Sequence, residues 1–209
     1  MCGRFMLDRD IEDLLDQYKI QNRQVTNYEK GDIYPSQNAP IVMYDNGRIL
    51  KTAKWGFTLS GKSKLVINAR SESIAEKPMF KNSFHNARCV IPIDLFYEWK
   101  NEGNKNKLKH RIYLQGSSIT SLGGIFKSNV NDKGEMEVSF VIITTEANKY
   151  MNDIHSRMPL IIEDDILDYW LNNNTPKNII NEIIKTNVNH ELIVERDNED
   201  EAIQQLKLF

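Results

Sequence analysis

The chain has 209 residues, enough for one ample hydrophobic core, and its 27% charged and 40% apolar residues are typical of a globular protein in water. No apolar stretch approaches the roughly 18 residues of a membrane span and no signal-peptide core is present, so we expect a cytoplasmic protein without a membrane partner. Two cysteines, Cys2 and Cys89, exclude a disulfide framework and a zinc ribbon. We therefore expect neither a metal nor another cofactor.

The net charge of −2 hides an uneven distribution along the chain. Residues 1–162 hold 23 basic against 18 acidic residues, whereas residues 163–209 hold 4 against 11. A positive body beside an acidic flank can present a basic groove, although scattered solvated charge fits the same counts.

The order of predicted elements indicates the fold class. Asp8 is a candidate cap for a helix whose apolar face carries Leu14 and Tyr18, and Asn46-Gly47 predicts a hairpin turn. Residues 56–64 have a loop-like composition. Further helices are predicted over 71–76, 164–171, 176–185 and 199–206, and further strands over 65–67, 88–92, 96–100, 111–114, 121–126, 137–144, 158–162 and 192–195, with a turn over 131–134. This pattern predicts an α+β fold around a mostly antiparallel sheet that can close on itself.

The first residues carry a distinctive chemistry if Met1 is trimmed. Cys2 would then bear a free amine and a thiol on one residue, with ordinary pKa values of about 7.7–8.0 and about 8.5. An aldehyde can form an imine with that nitrogen, and the sulfur can then close a five-membered thiazolidine ring. Because the second step is intramolecular, effective molarities of roughly 10⁵ M or more are attainable.

Polar residues near strand ends are the other candidates. Asn68 and Arg70 flank a small alanine directly after an apolar strand, where a turn Asn and a surface Arg are the alternative. Glu98 lies among Phe96, Tyr97 and Trp99, and such surroundings desolvate a carboxylate and raise its pKa towards the range useful in acid–base catalysis. Strand alternation allows the opposite orientation, with Glu98 in solvent.

His155 and Arg157 lie two residues apart between a short helical turn and a strand. A lone histidine is more often structural than catalytic, but Arg157 beside it could hold a phosphate or carboxylate through two hydrogen bonds. Cys89, within an apolar run, reads most simply as a buried small hydrophobe.

Eight short motifs follow one another along the chain. They are, in order, Met1-Cys2-Gly3-Arg4-Phe5, Tyr34-Pro35-Ser36-Gln37, Trp55-Gly56, Asn68-Ala69-Arg70-Ser71-Glu72, Arg88-Cys89-Val90-Ile91-Pro92, Phe96-Tyr97-Glu98-Trp99, Thr144-Thr145-Glu146-Ala147-Asn148 and His155-Ser156-Arg157-Met158-Pro159. Taken together, these motifs resemble the SOS response-associated peptidase (SRAP) family of abasic-site processing proteins. The resemblance runs from residue 2 to about 171 and departs from the usual pattern at Ile93, at Leu95 and over residues 57–61.

The resemblance implies a single α+β domain over residues 1–209, with a β-barrel-like core, peripheral helices and an acidic helical flank over 163–209. It implies a monomer whose positively charged groove binds single-stranded DNA containing abasic sites, with the replication machinery as a further partner and a nucleoid association if the protein is bacterial.

The same resemblance assigns roles by motif position. Cys2 would capture the ring-opened abasic site as a thiazolidine, with Asn68 holding the N-terminal group. Glu98 would shuttle protons and His155 would stabilise the opened sugar. The residues implied in DNA binding are Arg4, Arg70 and Arg157 at phosphates, and Pro35, Trp55 and Gly56 along the DNA path.

Other functions remain open on the sequence alone. An abasic-site lyase activity could accompany the crosslink, because an imine intermediate can lead to strand cleavage. An N-terminal Cys2 with Glu98 and His155 partners is also how an N-terminal-nucleophile peptidase would be built, with its own first peptide bond as substrate. The third alternative is a non-catalytic module that only binds single-stranded DNA.

Overall fold

The structure is a computed structural model, and it describes residues 2–20, 22–24, 28–59, 62–103, 107–130, 134–185 and 191–197. The predicted helix over 199–206 and most of the predicted turn over 131–134 lie outside these residues. So does Met1.

The described residues form a mostly β structure with short helices at its margins. The strands are β1 (Phe5–Leu7), β2 (Asn22–Gln24), β3 (Gly31–Ile33), β4 (Asn38–Tyr44), β5 (Arg48–Trp55), β6 (Phe57–Leu59), β7 (Lys62–Val66), β8 (Asn68–Arg70), β9 (Arg88–Ile93), β10 (Leu95–Asn101), β11 (Lys107–Leu114), β12 (Thr120–Val130), β13 (Met136–Glu146), β14 (Arg157–Pro159) and β15 (Leu192–Arg196). The helices are α1 (Ile11–Gln17), α2 (Pro78–Asn86), α3 (Leu167–Leu171) and α4 (Lys177–Lys185), with one 3₁₀ turn, η1 (Ser71–Ser73).

Five strands close into a barrel, in the order β4–β5–β13–β12–β9 and back to β4. The β5–β13 pairing is parallel and the other four are antiparallel. The hairpin between β4 and β5 is confirmed, with Asn46 and Gly47 at φ angles of 51° and 147°. Fully buried apolar side chains such as Leu50 and Phe140 fill the core, so the predicted α+β fold with a closed, mostly antiparallel sheet is confirmed.

A second sheet, ordered β15–β11–β10–β1–β3, brings the start of the chain against the aromatic strand. Phe5 of β1 pairs with Phe96 on one side and with Ile33 on the other. The backbone N–H of Tyr97 donates to the carbonyl of Arg4 at 3.0 Å. Because β1 is flanked on both edges, the residues just before it are fixed beside β10.

Three local predictions are wrong. Asp10, not Asp8, precedes α1, and the backbone N–H of Asp8 instead donates to Asp94 at 2.6 Å. The helix predicted over 71–76 is only the 3₁₀ turn η1, and the unpredicted helix α2 begins at Pro78, since proline is well suited to a first helical position. The expected loop over 56–64 contains a two-stranded sheet of β6 and β7, in which Phe57 is buried.

Among the described residues, no helix combines the length and the apolar character needed to cross a bilayer.

Candidate functional site

Cys2 lies just before β1, fully buried, and its backbone is held by Asn68. The side-chain Nδ2 of Asn68 donates to the Cys2 carbonyl oxygen at 2.9 Å. Asn68 is placed there by β8, which pairs in parallel with β13 so that Asn68 lies opposite Ile142. The Asn68 Oδ1 atom is buried and has no hydrogen-bond partner in the described part of the chain. One polar atom therefore fixes Cys2, and a second stays available beside it.

Glu98 is also buried, with 3% of its surface exposed. It shares the inner face of β10 with Phe96, two residues earlier, so the inward alternative of the sequence analysis is the one observed. Burial raises the pKa of the Cys2 thiol, and the nearby charge of Glu98 raises it further. The Cys2 thiol is therefore protonated at neutral pH and has a carboxylate close enough to influence it.

His155 lies in the turn that leads into β14. The backbone N–H of Arg157 donates to His155 Nδ1 at 2.9 Å, and an amide N–H can only donate. Nδ1 also lies 3.2 Å from the Arg157 carbonyl oxygen, so the Arg157 backbone can serve this nitrogen in either tautomer. The backbone therefore fixes the orientation of the ring.

Arg157 ties the His155 turn to the segment that follows Asn68. Its guanidinium forms a two-pronged ion pair with Glu72 in η1, with Nη2 to Oε2 at 2.9 Å and a second contact from Nη1 to Oε1. Nη2 also donates to the carbonyl of Thr144 at 2.5 Å. The two segments are therefore joined across the end of β13.

Arg4 occupies an aromatic slot on the outer face of the second sheet. Its guanidinium carbon lies 4.6 Å from the ring centre of Tyr97 and 5.0 Å from that of Tyr34, and it forms an ion pair with Asp32. Arg70, in contrast, is exposed at the end of β8 and forms no ion pair within the described residues. The three arginines therefore differ: two are paired with carboxylates and one faces solvent.

Comparison with known proteins decides the family. The family model described as SOS response associated peptidase (SRAP) matches residues 1–196. The chain belongs to the SRAP family. The match extends beyond residue 171, at about which the resemblance of the sequence ends.

Relatives of this SRAP protein occur in bacteria and animals. It is 38% identical over 191 residues to the abasic site processing protein YoaM of Bacillus subtilis, covering 85% of this chain and 81% of that protein. It is 29% identical over 178 residues to the abasic site processing protein YedK of Escherichia coli, covering 82% and 79%. To HMCES of Xenopus tropicalis, also named an abasic site processing protein, it is 29% identical over 174 residues, covering 66% and 52%.

Solved structures share the SRAP fold seen here. A crystal structure of a Bacteroides thetaiotaomicron protein has a TM-score of 0.79 at 24% identity, covering 94% of this chain and 93% of the other. A Bordetella bronchiseptica protein also has a TM-score of 0.79, at 20% identity, with coverage of 94% and 99%. These likenesses support the fold alone.

In this SRAP domain, Trp55 and Gly56 do not form an exposed surface. The Trp55 indole is fully buried, donates to the Ile67 carbonyl at 3.0 Å and packs 4.9 Å from Phe5. Gly56 is buried with a φ of 117°, and an added Cβ would lie 2.4 Å from Leu65 Cγ. These two residues therefore lie in the core, with Trp55 at the end of β5 against Phe5 and Gly56 directly after it against Leu65.

Pro35 lies in a turn that is hydrogen-bonded to the backbone of Trp55. It belongs to the turn in which the Gln37 N–H donates to the Tyr34 carbonyl at 3.1 Å, and Ser36 N–H donates to the Trp55 carbonyl at 2.9 Å. Pro35 itself is half-buried and Tyr34 is 43% exposed. Of the expected DNA-path residues, only Pro35 reaches the surface.

Sequence reasoning missed the partners of the two paired arginines. Asp32 and Glu72 neutralise Arg4 and Arg157, and Tyr97 forms one wall of the Arg4 slot. Glu72 is the last residue of the Asn68-Ala69-Arg70-Ser71-Glu72 motif, which was an available signal. Asp32 had none, since its role depends on the β1–β3 pairing. The departures Ile93 and Leu95 are both buried and belong to the packing of the fold.

Proposed function

We propose that this SRAP protein processes abasic sites in single-stranded DNA by forming a thiazolidine between Cys2 and the ring-opened sugar, once Met1 has been removed. The observation that carries the proposal is the placement of Cys2 between the Asn68 amide and the buried Glu98 carboxylate. The names of the relatives, abasic site processing proteins, support the choice of lesion.

The chemistry would begin at nitrogen. The Cys2 amine attacks the aldehyde carbon of the opened sugar, and the resulting carbinolamine loses water to give an imine. Asn68 holds the Cys2 carbonyl at 2.9 Å, which fixes the direction in which both nitrogen and sulfur of the same residue point. The sulfur then attacks the imine carbon and closes the ring, so that one C–N and one C–S bond have formed and one water has left.

In this scheme Glu98 transfers the proton. The thiol pKa is raised, so sulfur starts protonated and must lose its proton as the C–S bond forms. The Glu98 carboxylate takes that proton and returns it to the imine nitrogen, which becomes the ring N–H. A group that can both accept and donate within a buried site is the requirement for general acid–base catalysis.

Recognition would come from His155 and the arginines. His155 is oriented by the Arg157 backbone at Nδ1 and would contact an oxygen of the opened sugar. Arg4, Arg70 and Arg157 would contact the flanking phosphates, and phosphate contacts carry no base information. This suits a lesion that has lost its base, and it makes binding salt-dependent.

The outcome for DNA would be a shielded lesion in the path of the replication machinery. A crosslinked sugar is no longer a free aldehyde, and the bound protein blocks access to the strand. The imine that precedes ring closure can instead lose the 3′ phosphate by elimination, which gives the proposed lyase side activity.

The test is a denaturing gel of the protein after incubation with a single-stranded oligonucleotide that contains one abasic site. Wild type and Cys89→Ala should form SDS-resistant adducts, and Cys2→Ala should form none. Cys2→Ser separates the alternatives: a peptidase retains weak hydrolysis, a DNA-binding module binds as before, and a stable thiazolidine is lost. Normal adducts with Cys2→Ala would refute the proposal.

A further inference from the structure

In the structure Glu72 binds the guanidinium group of Arg157, the group that the proposed function assigns to a DNA phosphate. Two Arg157 nitrogens face the two Glu72 carboxylate oxygens, the arrangement in which arginine also binds a phosphate. The free protein therefore already holds an anion at this position.

The two partners differ in their access to solvent. The Arg157 side chain is 13% exposed and that of Glu72 is 48% exposed. Glu72 can therefore turn away into water at low cost, whereas the arginine stays largely enclosed. The ion pair lowers the pKa of Glu72, so the carboxylate is charged throughout the neutral range.

Arg157 has a second anchor that does not depend on Glu72. Its Nη2 donates to the carbonyl of Thr144, a fully buried residue of β13, at 2.5 Å. This bond would keep the guanidinium in place after Glu72 leaves. An incoming phosphate oxygen would then find a positioned donor pair and not a mobile side chain.

We propose that Glu72 is an internal substitute for a DNA phosphate, which occupies Arg157 in the free protein and is displaced when the strand binds. The inference rests on the proposed function, because it assumes that Arg157 contacts a phosphate. Glu72 is then a specificity-determining residue: it keeps non-covalent binding of undamaged strands weak, so that lasting attachment depends on capture of the aldehyde.

The structure offers a matched control for the charge change. Glu146 lies directly opposite Arg157 in the β13–β14 pairing and is exposed, yet no ion pair joins the two side chains among the described residues. Glu146→Gln removes the same charge from the same region without releasing Arg157.

The experiment measures the affinity for a labelled, undamaged single-stranded oligonucleotide by fluorescence anisotropy over a series of salt concentrations. The proteins are wild type, Glu72→Gln, Glu146→Gln, Arg157→Gln and the Glu72→Gln/Arg157→Gln double variant. Circular dichroism checks that each is folded.

Glu72→Gln should bind about two- to five-fold more tightly than wild type at low salt, the range that loss of a partly exposed ion pair allows. The slope of log K against log salt concentration should become steeper by about 0.7. In wild type a phosphate only replaces the Glu72 carboxylate on Arg157, whereas in Glu72→Gln it adds a charge contact. In the Arg157→Gln background, adding Glu72→Gln should improve the affinity no more than Glu146→Gln does in wild type.

Two results would overturn the inference, and they can be told apart. If Arg157→Gln weakens binding but Glu72→Gln matches Glu146→Gln in affinity and slope, the displacement is wrong and the phosphate role of Arg157 stands. If Arg157→Gln binds like wild type, the phosphate contact assigned to Arg157 is itself wrong and the inference falls with it.

Discussion

The Asn68 side chain holds the backbone of Cys2 through a hydrogen bond, which its Nδ2 donates to the Cys2 carbonyl oxygen at 2.9 Å. Nitrogen and sulfur of Cys2 share one Cα, so this single bond sets the direction of both proposed reacting atoms. It also links the first residues of the chain to β8, more than sixty positions away.

Asn68→Ala should slow adduct formation about five- to ten-fold, since a net hydrogen bond of about 1 kcal/mol is lost from the positioning of Cys2. The rate is measured from the appearance of SDS-resistant product under single-turnover conditions. Asn82→Ala, at an exposed position of α2, is the control and should react at the wild-type rate. An unchanged rate in Asn68→Ala would show that this bond does not organise the reaction.

Glu98→Gln should slow adduct formation about 100-fold, the lower range for loss of a general acid–base group. It should also lower the pKa of the Cys2 thiol, because the charge of Glu98 raises that pKa in the native protein. Alkylation of the Cys2 peptide, followed by mass spectrometry as a function of pH, reports the shift. The expected alkylation profile moves to lower pH, and movement to higher pH would contradict the assigned charge effect.

The Arg157–Glu72 pair gives a pH dependence with a defined sign. The pKa of Glu72 is lowered from its ordinary 4.5, so the stabilisation is fully present above about pH 4.5 and is lost as the pH falls through the lower folded value. Glu72→Gln should therefore be less stable than wild type at pH 7, by no more than about 1 kcal/mol. Urea unfolding at several pH values should show this gap closing in acid. A gap that stays constant to pH 2 would argue against the ion pair.

Gly56→Ala should destabilise the fold by about 3 kcal/mol or more. The added methyl group would combine an unfavourable φ of 117° with a contact of 2.4 Å to Leu65 Cγ. Gly103→Ala is the matched control, since its φ of 84° is also positive but, apart from its chain neighbours, no described atom lies within 4 Å of the new Cβ. Chemical unfolding of both variants separates the backbone strain from the steric clash. Equal losses would mean that Leu65 moves aside freely.

Local sequence signals anticipated much of the fold and some of the site. Asn46-Gly47 predicted its hairpin because the turn needs positive φ angles from those two residues alone. The sequence also indicates that Glu98 is a carboxylate among aromatic residues. Its orientation could not be deduced from alternation, because both faces of β10 are largely buried near Glu98.

Features that depend on distant pairing were beyond the sequence. The burial of Trp55 results from the parallel β5–β13 contact that closes the barrel, and no local pattern announces that contact. The carboxylate partner Asp32 is likewise brought to Arg4 by the β1–β3 pairing. Such contacts between residues that are far apart in the sequence are seen only in the folded structure.

The most direct test of the central claim is the intact mass of the purified protein before and after incubation with an abasic oligonucleotide, followed by peptide mapping. The first mass should correspond to a chain lacking Met1, and the second should show a gain equal to the oligonucleotide less one water, located on Cys2. A protein that retains Met1 and still gains the DNA mass, or an adduct mapped to any other residue, would contradict the account.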